Sequence, residues 1–104
     1  MSERITEVLI LPDGMDEADV NASTFGLRVA WRGVYTDTGR GGYAVIRGLS
    51  HLSRAGRWRL QPEPRLQRHY RWPDIETALD VARAAVNDVR VNGHTWAEWK
   101  GRTQ

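Results

Sequence analysis

Cysteine is absent from the 104 residues, so the chain can form no disulfide framework, no thiolate nucleophile and no cysteine zinc site. Lysine is nearly absent as well. Lys100 is the only one among 15 basic residues, and the other fourteen are arginine. Arginine suits two-pronged contact with phosphate and carboxylate, although a GC-rich genome alone favours arginine over lysine. Long apolar runs are missing too: the longest, Val8 to Leu11, is far short of the roughly 20 residues of a membrane-spanning helix. The N-terminus has neither the basic region nor the apolar stretch of a signal peptide. These absences predict a cytoplasmic protein with no membrane partner. The spacings GxxxxGK, GxGxxG, HExxH and GxSxG are absent, and His51, His69 and His94 stand too far apart for a local metal motif. The chain therefore reads as a non-enzyme with no cofactor and no metal.

What is present is charge, sorted along the chain. Residues 1–27 carry six acids (Glu3, Glu7, Asp13, Asp16, Glu17, Asp19) against Arg4, a net of −5. Residues 28–71 carry ten arginines against Asp37 and Glu63, a net of +8. Residues 72–104 hold four bases and five acids, so the formal +2 of the whole chain conceals a strong internal dipole. A middle segment this positive attracts phosphate or an acidic partner, and an acidic leader can screen it.

The length fits one domain over residues 1–104. Its parts are an acidic N-terminal strand and loop (1–23), arginine-rich antiparallel strands (24–72) and a helical C-terminal part (73–104). Residues 3–11 read as a strand stopped by Pro12-Asp13-Gly14. From Phe25 the pattern has period two: Phe25, Leu27, Val29 and Trp31 against Arg28, Ala30 and Arg32. Residues 36–42 supply glycines for a turn into a second strand, Tyr43 to Leu49. A loop over 50–56 follows, then short strands at Arg57 to Gln61 and Leu66 to Trp72. Asp74 is a good N-cap, and Ile75, Ala78, Leu79, Ala82, Val86 and Val89 form one apolar stripe. This predicts a helix running to a stop at Asn92-Gly93, and Thr95 with Glu98 predicts a last helical turn. Strands first and helix after predict an α+β fold in two layers: an antiparallel sheet of four to five strands, one long C-terminal helix on one face, and a short terminal helical turn.

If the helix covers Leu27, Val29, Trp31, Trp58, Leu60, Tyr70 and Trp72, the other face displays Arg28, Arg32, Arg57, Arg59, His69 and Arg71. Arg47 is a further candidate, since both faces of its strand are partly apolar. Such a surface is a phosphate-positioning array, because each guanidinium can fork onto an oxyanion and release a counterion. Five tryptophans invite a base-stacking reading, but Trp31, Trp58 and Trp72 fall on the expected core face and Trp96 and Trp99 where the C-terminus packs. Tyr35 and Tyr43 are the aromatics expected nearest the surface, and Arg40 sits at the tip of the 36–42 turn.

The stretches Gly39 to Gly48 (GRGGYAVIRG), His51 to Trp58 (HLSRAGRW) and Tyr70 to Trp99 resemble small uncharacterised proteins of actinobacterial phages, mycobacteriophages in particular. The likeness covers about three quarters of the chain. It implies a phage gene product made inside a GC-rich bacterial host, a class whose members often bind host machinery. The order of strands and helix is also similar to the arm-type DNA-binding domain of phage integrases. Two expectations follow: nucleic-acid binding through the arginine face, or a protein-interaction module that binds and modulates a host protein, with Ile5 to Leu11 as a second docking segment. Either fits a monomer or a homodimer.

Overall fold

A computed structural model describes residues 6–34 and 41–102. The expected turn at 36–42, Tyr35, Arg40 and the first residues of the leader lie wholly or in part outside that range. The fold is α+β. Five antiparallel strands, β1 (Glu7–Ile10), β2 (Leu27–Val34), β3 (Gly41–Arg47), β4 (Ser50–Leu52) and β5 (Trp58–Leu60), lie side by side in chain order. A single helical turn, α1 (Ala22–Phe25), precedes β2. Val8, Val29 and Val45 stand opposite one another across β1, β2 and β3, as do Ile10 and Leu27 on β1 and β2, so the branched side chains meet on one face.

The helix α2 (Ile75–Val86) crosses that face over β1, β2 and β3. Its Ala78, Leu79, Ala82 and Val86 bury against Leu27, Val29, Val45 and Leu52 to form the main core. Full burial of each large aliphatic side chain contributes about 1.5–3 kcal/mol. Asp74 caps the helix: its carboxylate accepts from the Thr77 N–H at 2.8 Å, and this bond holds its pKa below the usual carboxylate value.

The expected long C-terminal helix is not what forms. α2 has 12 residues and lies mid-chain. Beyond it Val89 is still buried, but outside the helix. Asn92 and Gly93 both have positive φ, 51° and 82°, the requirement of a tight type I′ turn. They therefore join a small hairpin, β6 (Arg90–Val91) and β7 (His94–Thr95), instead of ending a helix. The closing helix α3 (Trp96–Arg102) forms as expected, with the Glu98 N–H donating to Thr95 Oγ1. Trp96 meets Phe25 at 5.7 Å between ring centres, and Trp99 Nε1 donates to the Val91 carbonyl.

Two further expectations are corrected. β3 stops at Arg47 because Gly48, at φ 60°, turns the chain straight into β4, so the expected loop at 50–52 is a strand. Residues 64–70 form a 3-10 helix (Pro64–Tyr70) in place of a strand, started by Pro64 at its first position, and only Trp72 bridges back to Tyr43. The core is also smaller than expected. Trp58 and Leu60 are 40% and 65% exposed, since α2 covers β1–β3 and leaves the β5 end bare; Trp31, on β2, is 36% exposed and meets Tyr43 edge-to-face.

Candidate functional site

On the face away from α2, pairing sets Leu9, Arg28, Ile46, His51 and Arg59 in one row across all five strands. Ala30, Ala44 and Ile46 form a second, smaller buried cluster on this face. Around it stand cations. Arg32 is exposed, and so are Arg59 and its chain neighbours Trp58 and Leu60 on β5. Arg57, whose carbonyl accepts from the Ser53 N–H, precedes β5 and alternates onto the Arg59 side.

His51 is the residue that sequence reading left in a loop. Its alternation with the apolar Leu52 was the one signal for it. Burial, then Arg71, Arg32 and Arg28, push its pKa down to about 4, so the ring is neutral at pH 7. Arg71 Nη1 donates to His51 Nδ1 at 3.3 Å. A guanidinium can only donate, so Nδ1 is the unprotonated nitrogen of the ring.

Arg71 is therefore not an exposed member of the array. It is 6% exposed; Nη1 also donates to the Tyr70 carbonyl at 3.1 Å, and the Arg71 carbonyl accepts from Arg54 Nε at 2.8 Å. The bridge of Trp72 to β3 forces this, because with Trp72 aimed at the core, Arg71 turns inward on the opposite side, beside His51. Arg47 is also displaced from the expected face. It pairs with Ser50 on the α2 side, and its Nε donates to the Thr24 carbonyl at 3.0 Å. His69 is exposed on the 3-10 helix, outside the strand row, and its carbonyl accepts from the Arg54 N–H.

At the Arg28 end the charge changes sign. Arg28 donates to Glu7 Oε1 at 3.1 Å and to the Gly48 carbonyl at 3.4 Å. Both members of the ion pair are about half exposed, so it contributes little to stability. A cleft of about 820 Å³ opens here, lined by Arg28, Leu9 and Ile46 together with Glu7, Glu17 and Asp19. Three acids of the leader, Glu7, Glu17 and Asp19, thus share a cleft with the arginine row. Asp13 does not; it exchanges hydrogen bonds with Asn87 at the end of α2.

Among the described residues no group of three or more His, Asp or Glu is placed to hold a metal ion, and no helix is long and apolar enough to cross a membrane. The chain matches no known family model, no curated protein and no solved structure.

Proposed function

We propose that the protein is a small non-enzymatic phage-type binding protein of the bacterial cytoplasm, and that it holds nucleic acid by its phosphates on the face bearing Arg28, Arg32, Arg57 and Arg59. The observation that carries this reading is the cross-strand row that sets Arg28 and Arg59 on one face with His51 between them. Arg32 and Arg57 join them on that side, so a mobile polyanion meets several cations on one surface. Phosphates of a flexible backbone can occupy such a surface without reading bases, and each contact releases a counterion. The buried Arg71 serves this face by fixing His51 and the chain beside it.

The test is fluorescence anisotropy of labelled single- and double-stranded DNA and RNA over a range of salt. With about four phosphate contacts, the log–log slope of affinity against salt should lie at roughly −3 to −4. Absence of binding to every one of these at low salt removes the reading. A protein-binding role rests on the outer edge of β5, which shares Arg57 and Arg59 with this face.

A further inference from the structure

β5 ends the sheet, and among the described residues its only strand neighbour is β4. The Ser53 N–H donates to the Arg57 carbonyl and the Gln61 N–H to the Leu49 carbonyl, with His51 opposite Arg59. The ladder to β4 thus falls at 57, 59 and 61. Alternation directs the N–H and C=O groups of Trp58 and Leu60 outward, away from the sheet. Their side chains lie on the α2 side, Trp58 partly covered and Leu60 largely exposed. Between Trp58 and the second half of α2 runs a groove of about 410 Å³, lined by Leu52, Val81, Ala84, Ala85 and Val89 together with Asp88. On the opposite side of β5, Arg57 and Arg59 are exposed.

We infer that β5 is a docking edge for an extended peptide whose residues alternate between apolar and acidic, added as a sixth strand. Its backbone bonds the outward groups of Trp58 and Leu60. Its apolar side chains lie beside these two and enter the groove, while its acidic side chains meet Arg57 and Arg59 on the other face. A second copy of this chain fits the edge poorly. Two β5 strands paired with each other crowd Arg57 and Arg59 of both copies onto one face, and like charges opposed across a ladder repel. The inference goes beyond phosphate binding, because it needs a partner with a polypeptide backbone.

The experiment selects a displayed library of random linear octapeptides on the nuclease-treated full-length protein, with Arg59→Glu selected in parallel. Nucleic acid is removed because Arg59 belongs to both surfaces. The expected enriched sequences alternate apolar and acidic residues on the parent, and carry a basic residue in place of the acid that faces residue 59 on Arg59→Glu. The best parent peptide should bind Trp58→Ala ~10-fold or more weakly, about 1.4 kcal/mol. It should lose most of its affinity when the backbone nitrogens that face β5 are methylated. No enrichment, enrichment without alternation, the same sequences on both proteins, or indifference to methylation each overturns the inference. So does a β5-paired dimer of the parent in sedimentation that Arg59→Glu alters. The DNA and RNA titration is read separately, so failure here is distinguishable from failure of the phosphate reading.

Discussion

β2 and β5 are written in the same alphabet and meet opposite fates. Leu27 and Val29 alternate with Arg28 and Ala30, and Trp58 and Leu60 alternate with Arg57 and Arg59. In β2 the apolar members are sealed at 0% exposure; in β5 they stand in the open. Alternation states which side of the sheet a residue takes. Whether a second layer covers that side depends on how far α2 reaches, and it reaches over β1–β3.

That contrast can be broken most sharply in a denaturant melt. Leu27→Ala should destabilise the fold by ~2–5 kcal/mol, the range for a large-to-small change in a packed core, while Leu60→Ala should cost less than about 0.5 kcal/mol, as exposed substitutions do. Equal losses would mean that a layer covers β5 after all. Trp58→Ala falls between them, at about 1 kcal/mol, because part of its ring is covered; a fully buried tryptophan would cost ~3–5 kcal/mol.

On the opposite face the comparison turns on His51, whose folded pKa of about 4 lies below its ordinary value of 6.5. Between these values the unfolded chain binds a proton that the folded chain refuses. Stability is therefore full above about 6.5 and falls as pH drops toward 4. Asp74 and Glu98 also have lowered pKa values, Glu98 chiefly through its hydrogen bond with His94. Their contributions are lost only at lower pH, as each carboxylate takes up its proton. Melts of the parent at pH 7 and pH 5 should show the loss, and His51→Gln should flatten it; an unchanged slope would place the titrating group elsewhere.

The smallest effect belongs to the leader. Neutralising Glu17 and Asp19 to Gln and Asn should strengthen nucleic-acid binding at low ionic strength by a few-fold. The gain should fade with salt, since both acids share the Arg28 cleft and exposed charges are screened within a Debye length of ~8 Å at physiological salt. Unchanged affinity in 20 mM salt, on the order of a 20 Å Debye length, would show that the acids do not screen the arginines.

The parts of the fold legible in the sequence are those that depend on near neighbours. Asp74 caps α2 because Thr77 is three residues on, Thr95 and Glu98 cap α3, and β1, β2 and β3 follow their apolar content. The candidate face was legible in part: Arg28, Arg32, Arg57 and Arg59 lie where alternation sends them, Arg71 lies on that side but buried against His51, and Arg47 and His69 lie elsewhere. Arg47 was undecidable because Ala44 and Ile46 are as buried as Val45, so burial did not mark one side of its strand. His69 depended on a strand whose place the 3-10 helix Pro64–Tyr70 takes, and the burial of Arg71 depended on the bridge of Trp72 to Tyr43.

The sequence by itself determined a cysteine-free α+β chain with its charge sorted along its length and a capped amphipathic helix over a sheet, since composition and short-range periodicity carry that information. Only tertiary structure decided that Arg71 is buried against His51, that Glu17 and Asp19 share a cleft with Arg28, and that Trp58 and Leu60 stay exposed. Each of these depends on segments far apart in the chain meeting or failing to meet, and a period of two or 3.6 residues says nothing about what lies across the gap.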